Sequence, residues 1–245
     1  ILHENGRIEH ASEYINTNPG EFPNFIFMQH LHDALAHGHG TIFKYATHEN
    51  TILNAIRKQL LASNYSFKKE LIQFIESISH PTGNTANKWQ APPRDMVDLC
   101  QMIKYYYYHP KTYGSNSIKK VLPAILSSSE FVRSKYSQPI GNINVTSKNF
   151  DSNHVWLSIE NGKVISPYSM LPSLHNDMSK EEIEFSLSQI ENIDDGGAAL
   201  TAYGKIQYTD MTKGEREKIG AALKRYCELD TLAMVMIYEH LKSIT

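Results

Sequence analysis

The chain has 245 residues and a formal net charge of −2, with 41% hydrophobic and 20% charged residues, a composition typical of a soluble protein with a substantial core. No apolar run is long enough to cross a bilayer, and the near-neutral charge argues against a protein that coats nucleic acid through its bulk field. Cys100 and Cys227 are too few for a disulfide framework or a zinc site by themselves, so we predict a reducing, cytoplasmic setting without a membrane.

The first ten residues indicate a β-hairpin. Asn5 and Gly6 favour a type I′ turn between two short strands. The chain begins at Ile1 without an initiator Met, and only a stub of strand precedes the turn. We therefore expect it to be part of a longer protein, with an upstream region of the same polypeptide.

Apolar periodicity then predicts mainly helices as far as residue 126, with one short strand at 41–46. The predicted helices are 24–36, 49–61, 67–78, 95–108 and 115–126. Pro123 is expected to kink or end the last of them.

Residues 127–175 are predicted to be an irregular insertion that contains a second hairpin around Asn161 and Gly162. Helices are expected to resume near Lys180, again over about 196–208, and finally from around Lys213. Strands come early, with helices between and after them, so the fold class is α/β, in a single domain spanning 1–245.

The last predicted helix carries a carboxylate, Asp230, on its apolar face. At helical spacing its neighbours on that face are Ile219, Leu223, Tyr226, Ala233, Ile237 and Leu241. A buried carboxylate needs a hydrogen bond, an ion pair or a cation, and Tyr226 lies one turn earlier with its Cβ roughly 5–6 Å away. A phenol beside a metal-bound carboxylate suits phosphodiester hydrolysis. Alternatively, Asp230 and Thr231 cap a second helix, and Tyr226 is a core aromatic.

Other polar residues gather where predicted elements begin. His48 and Glu49 stand at a strand-to-helix junction, where ligand sites of α/β sheets lie. Asp98 either reaches the site or caps its helix, and the cap is favoured. Lys119 and Lys120 either bind a phosphate backbone or form a solvated edge.

The four consecutive tyrosines Tyr105 to Tyr108 have two possible roles. They either stack bases in a single-stranded groove or pack against the fold, and packing is favoured for most of them. Because consecutive residues point all round a helix, at most two of them are expected to share one platform.

Four motifs along the chain resemble those of one known family. They are a strand followed by His-Glu and a helix, then Val-Asp-Leu, then two longer stretches, at 48–49, 97–99, 114–123 (GSNSIKKVLP) and 226–235 (YCELDTLAMV). In this order they are similar to the domain-of-unknown-function 2779 family, which is grouped with the DEDD-type 3′–5′ exonucleases. The resemblance extends from Ile8 to about Leu241.

The resemblance implies a ribonuclease H-like mixed sheet flanked by helices, lacking its first strand in this chain. In that superfamily four carboxylates hold two Mg²⁺ or Mn²⁺ ions. If the roles of that superfamily apply to this chain, Asp230 is the last metal ligand and Tyr226 positions the attacking water. Glu49 then replaces the usual aspartate of another motif. The first-strand Asp-x-Glu pair is expected upstream of Ile1.

Three functions follow as hypotheses. The first is a metal-dependent 3′–5′ exonuclease acting on single-stranded DNA or RNA ends, with Lys119, Lys120 and His48 at the nucleic acid. Without the first-strand pair, residues 1–245 alone are expected to be inactive. The second is a catalytically dead nucleic-acid-binding or scaffolding module of the same fold. The third, a zinc hydrolase, would use the histidines crowded into ten residues, although surface positions are favoured for them: His30, His32, His37 and His39.

Overall fold

The computed structural model describes residues 1–83, 89–172 and 196–244, which form a mixed α/β structure, as predicted. The helices are α1 (Asn24–Leu35), α2 (His48–Leu61), α3 (Lys68–Ile78), α4 (Leu99–Tyr106), α5 (Ile118–Ser128), α6 (Glu130–Tyr136), α7 (Gly196–Tyr208) and α8 (Lys213–Ser243). The strands are β1 (Leu2–Glu4), β2 (Arg7–Glu9), β3 (Phe43–Lys44), β4 (Val97–Asp98), β5 (Val145–Thr146), β6 (Ser158–Glu160) and β7 (Lys163–Ile165). The helix expected near Lys180 lies outside the described residues.

The described strands form three small sheets. In the first, β2 pairs antiparallel with β1 and parallel with β5, so that the buried Ile8 lies opposite His3 on one side and Val145 on the other. The strands β3 and β4 form a parallel pair, and β6 and β7 form an antiparallel pair.

Both predicted hairpins are confirmed. Asn5 and Gly6 have φ angles of 49° and 79°, and Asn161 and Gly162 have φ angles of 49° and 75°. A type I′ turn requires positive φ at both central residues, which asparagine tolerates and glycine adopts without steric cost.

The region around 95–108 was predicted to be one helix, and this is wrong at its start. Val97 and Asp98 form β4, which pairs with β3, and α4 begins only at Leu99. The Asp98 side chain accepts hydrogen bonds from the backbone N–H groups of Cys100 and Gln101, which fixes the start of the helix. The helix α5 does not end at Pro123 but continues to Ser128, and a kink at Pro123 stays a prediction.

The chain divides into two compact units. The first comprises Ile1–Glu21 and Val121–Thr245, and the second comprises Phe22–Lys120. The core of the second unit lies among α1, α2, α3 and the residue just before β4. Its buried side chains are Met28, Leu53, Ile56, Leu60, Leu71, Phe74, Ile75, Ile78 and Met96. That both units belong to one ribonuclease H-like domain stays a prediction.

The first unit is organised around the 31-residue helix α8, against which α6 and α7 pack. A capping box fixes its start: Thr212 Oγ1 accepts from the Glu215 N–H at 3.2 Å, and Glu215 accepts from the Thr212 N–H at 2.6 Å. The helix runs without a break through Asp230 and Thr231, so the alternative in which these residues cap a new helix is wrong.

The segment 127–175 contains α6, β5 and the second hairpin, and it contributes Tyr136 and Trp156 to the buried core of the first unit. That this segment is an insertion relative to the resembled family stays a prediction. Within the ranges that the structure covers, none of the helices is both long and apolar enough to cross a membrane.

Candidate functional site

The carboxylate of Asp230 has a tyrosine partner, and that partner is Tyr168. The Tyr168 hydroxyl donates to Asp230 Oδ1 at 2.5 Å, and the Tyr168 ring centroid lies 6.1 Å from that of Tyr226. Both rings are buried, whereas Asp230 is half-buried. The helix therefore places a partly exposed carboxylate beside two buried tyrosines, with one of its oxygens hydrogen-bonded.

Tyr168 was not found from the sequence. It lies in a short 3-10 turn, Pro167–Met170, far from Asp230 along the chain. Helical spacing relates Asp230 only to residues of its own helix, such as Tyr226, and carries no signal for a partner in a distant turn.

Replacing Tyr168 by phenylalanine is expected to lower the free energy of unfolding by about 1.5–3 kcal/mol, because it removes a hydrogen bond to a charged group and keeps the ring. Urea unfolding followed by circular dichroism measures this loss. Tyr208→Phe, at an exposed position of α7, is the matched control and should change nothing. An equal effect of the two substitutions would contradict the assigned hydrogen bond.

Glu49 lies in the first turn of α2, within the second unit. Its Oε1 accepts from the Tyr45 N–H at 3.4 Å, and its Oε2 is buried without a hydrogen-bond partner among the described residues. A buried carboxylate oxygen without a donor is costly, and such an atom in a folded protein calls for an explanation. A cation or a donor from outside the described residues would satisfy it.

The other predicted nucleic-acid contacts also lie in the second unit. His48 is exposed at the start of α2, Lys120 is exposed in the first turn of α5, and Lys119 beside it is half-buried. Their contact with nucleic acid stays a prediction. Glu49 belongs to the second unit, whereas Asp230 and Tyr226 belong to the first.

Asp98 caps its helix, which confirms the favoured prediction. It also accepts from the buried Lys44 ammonium at 2.7 Å and from the Ala46 N–H at 3.0 Å. Burial opposes ionisation of Asp98, but the hydrogen bonds from Lys44 and Ala46 outweigh it and hold the pKa of this carboxyl below its ordinary value.

A second carboxylate on α8, Glu228, lies in a buried cluster that the sequence did not reveal. His10 Nδ1 lies 2.8 Å from Glu228 Oε2, and Asn149 Nδ2 donates to both Glu13 and Glu228 at 2.8 Å. Burial opposes ionisation of Glu13, but hydrogen bonds from Asn149 and Lys224 lower its pKa below the ordinary value. The cluster draws on three distant stretches of the chain, so local spacing gives no signal for it.

Another buried carboxylate of α8, Glu239, is fully paired. It lies 2.9 Å from His3 Nε2, accepts from Lys135 Nζ at 2.7 Å and accepts from the Tyr136 hydroxyl at 2.8 Å. Burial and the neighbouring Glu239 raise the pKa of Tyr136, so its phenol stays protonated and donates. This arrangement is typical of a structural network.

Among the residues that the structure covers, no group of three or more His, Cys, Asp and Glu side chains is placed to hold a metal ion. Of the crowded histidines, His30, His37 and His39 are exposed. His32 is half-buried, with Nδ1 3.2 Å from Asp33 Oδ1.

Residues 1–117 match the model of a family described as Domain of unknown function (DUF2779). The match supports the resemblance over that part of the chain, which includes Glu49 and Asp98 and ends before α5 and Asp230. No curated protein and no solved structure matches the chain. Resemblance to the DEDD exonucleases stays a prediction.

Proposed function

We propose that this chain is part of a metal-dependent 3′–5′ exonuclease domain of ribonuclease H-like fold, in a cytoplasmic protein. Glu49 and Asp230 serve as carboxylate ligands for Mg²⁺ or Mn²⁺, and Tyr226 orients the attacking water. The observation that carries the proposal is the buried Oε2 atom of Glu49, which has no donor in the described part of the chain. Hard divalent cations prefer carboxylate oxygens, so a cation is a suitable partner for this atom.

Asp230 also suits a ligand role. Its Oδ1 is held by the Tyr168 hydroxyl, and no hydrogen bond to Oδ2 occurs among the residues that the structure covers. Metal-binding carboxylates are commonly oriented by a hydrogen bond to one oxygen, which leaves the other for the ion. Because Asp230 is half-buried, an ion from solvent can reach it.

The remaining chemistry follows from the resemblance. Two divalent ions would supply charge stabilisation for phosphodiester hydrolysis, and Glu49 and Asp230 would provide only part of the carboxylates needed to hold them. In the resembled superfamily the other two belong to an Asp-x-Glu pair, which residues 1–245 do not contain, so residues 1–245 alone are proposed to be inactive. Lys119, Lys120 and His48 are assigned to the phosphate backbone of a single-stranded 3′ end.

The test is degradation of single-stranded DNA and RNA in the presence of Mn²⁺ by the full-length gene product, with residues 1–245 assayed in parallel. Asp230→Asn and Glu49→Gln are each expected to lower the rate by about 10²-fold or more, because each removes the negative charge of a carboxylate that would hold the divalent cation. The exposed glutamates give matched controls, Glu217→Gln in the first unit and Glu70→Gln in the second, which should keep the wild-type rate. Full activity of Asp230→Asn or Glu49→Gln would contradict the proposal.

A binding module without catalysis is the second candidate. It is favoured by glutamate at position 49, where the exonuclease superfamily normally has aspartate, since the longer side chain shifts any bound metal or requires a backbone adjustment. It is also favoured by the Tyr168 hydrogen bond, which already stabilises Asp230. This module predicts oligonucleotide binding by the full-length protein in EDTA and no degradation with Mn²⁺.

A further inference from the structure

Four tyrosines within nine residues of the second unit expose nearly their whole side chains. The exposed fractions are 71% for Tyr105, 82% for Tyr106, 83% for Tyr108 and 88% for Tyr113. A tyrosine ring is largely apolar and usually at least half-buried, and clustered exposed rings mark binding surfaces. We call residues 104–113 the tyrosine segment.

The exposure follows from where α4 ends. The helix stops at Tyr106, and Tyr107 and His109 have extended backbone conformations, with φ of −125° and −146°. Side chains alternate along an extended chain, and the Tyr107 and His109 rings stack on each other with centroids 6.4 Å apart. Tyr108 is therefore directed away from that pair. The favoured prediction that most of the four tyrosines pack against the fold is wrong, because only Tyr107 is not exposed. The prediction that at most two of them share a platform assumed a continuous helix, which the structure does not have.

Tyr113 has a strained backbone conformation. Its φ of 52° and ψ of 35° lie in the left-handed region, which costs a bulky residue about 1–2 kcal/mol. Asparagine or glycine would avoid most of this strain. Because the ring is exposed, core packing does not offset this conformational cost. A contact between the ring and a binding partner would offset it.

The charged residues in and around the tyrosine segment are all positive. Residues 99–120 contain four lysines and no aspartate or glutamate. Lys104, Lys111 and Lys120 are exposed. The preceding carboxylate, Asp98, is paired with Lys44 and so adds little negative charge at the surface. This part of the second unit therefore favours an anionic partner.

From these observations we propose that the tyrosine segment binds single-stranded nucleic acid, with bases stacked on the exposed tyrosine rings and phosphates contacted by the lysines. Every base has a face that stacks on an aromatic ring, so a short series of exposed rings with interspersed lysines suits a strand of any sequence. A protein partner would favour a compact apolar centre with a polar rim, whereas here the exposed rings lie along one stretch of chain with Lys104 before the tyrosine run and Lys111 after it. The inference deepens the proposed function by assigning it a further surface for single-stranded nucleic acid, and binding here needs neither a metal nor cleavage.

The test is fluorescence anisotropy of labelled single-stranded DNA and RNA of about 20 nucleotides, titrated with the full-length protein in EDTA. Tyr106→Ser/Tyr108→Ser is expected to raise the Kd about 5- to 150-fold for each stacking interaction removed. Tyr208→Ser is the matched control, because that tyrosine is 88% exposed and belongs to the first unit. Absence of wild-type binding, or equal binding by the double variant and the control, would overturn the proposal.

Two further variants separate stacking and charge from misfolding. Tyr113→Asn is expected to keep or raise the Tm, because asparagine tolerates the left-handed region, and still to weaken binding. Lys104→Gln/Lys111→Gln is expected to reduce the slope of log K against log salt by about 0.7 for each phosphate that the protein no longer neutralises. An unchanged Kd in Tyr113→Asn, or an unchanged slope in the lysine variant, would count against the surface. Because EDTA prevents metal-dependent cleavage, failure of the exonuclease assay leaves these results intact.

Discussion

Replacing Asp98 by asparagine is expected to lower the free energy of unfolding of the second unit by about 3–5 kcal/mol, the largest effect that we expect from a single substitution on stability. The reason is Lys44, whose side chain is buried and whose ammonium donates to Asp98 Oδ2 at 2.7 Å and to the Ala46 carbonyl at 2.6 Å. Without the carboxylate, the ammonium remains buried without a counter-ion, and removal of one partner of a buried ion pair is strongly destabilising.

Asparagine isolates the charge from the capping role, because it caps helices about as well as aspartate. The measurement is urea unfolding followed by circular dichroism. Asp33→Asn, at an exposed position of α1, is the matched control and should stay within about 0.5 kcal/mol of wild type. Lys44→Met in the Asp98→Asn background should recover part of the loss. A loss below about 1 kcal/mol for Asp98→Asn would show that the pair contributes little.

The same pair predicts a pH dependence. Because the folded-state pKa of Asp98 lies below its ordinary value, the unfolded chain takes up the proton first as the pH falls. The stabilisation is complete above the unfolded pKa, about 3.9, and is lost as the pH falls through the folded value. The difference in stability between wild type and Asp98→Asn should therefore shrink below about pH 4. A difference that stays constant down to about pH 2 would be inconsistent with this linkage.

Replacing Glu239 by glutamine is expected to cost about 2–4 kcal/mol in the first unit. The carboxylate accepts from Lys135 and from the buried Tyr136 hydroxyl, and it lies 2.9 Å from His3 Nε2. Glutamine offers one oxygen, and its amide would direct N–H groups at one of these donors. The substitution therefore leaves Lys135 without its counter-ion and one donor without an acceptor.

Guanidinium chloride unfolding of Glu239→Gln, compared with Glu217→Gln on the same helix, measures this effect. Glu217 is exposed and lies 3.7 Å from Lys213, an i,i+4 surface pair that contributes little. The control should differ from wild type by less than about 0.5 kcal/mol. Similar losses of unfolding free energy in the two variants would mean that the buried contacts of Glu239 contribute no more to stability than a surface ion pair.

Features set by local chemistry could be predicted from the sequence. Both hairpins follow from an asparagine–glycine pair, whose conformational freedom selects the turn. The start of α8 near Lys213 follows from Thr212 and Glu215, which form a capping box within four residues. In such cases the residues that decide the structure are neighbours in the chain.

Features set by distant contacts could not be predicted. The helix that was predicted from residue 95 begins at Leu99, because Val97 and Asp98 pair with β3, more than fifty residues earlier. The contacts of Asp230 with Tyr168 and of Glu228 with His10 likewise join distant parts of the chain. Periodicity describes one helix at a time and carries no information about its partners.

The candidate site likewise has features that the sequence predicts and features that only the structure shows. Motif order singled out Glu49 and Asp230, but only the structure shows that Glu49 Oε2 is buried without a donor in the described part of the chain. The same holds for the tyrosine segment, where the sequence shows four consecutive tyrosines and the end of α4 decides which of them are exposed.

The proposed exonuclease is tested most directly by comparing 3′-labelled and 5′-labelled single-stranded substrates, with Mn²⁺ and the full-length protein. We expect the 3′ label to be released at once as mononucleotide, the 5′-labelled strand to shorten progressively, and Asp230→Asn to do neither. Internal cleavage of both substrates, or equal rates for wild type and Asp230→Asn, would contradict the assigned function.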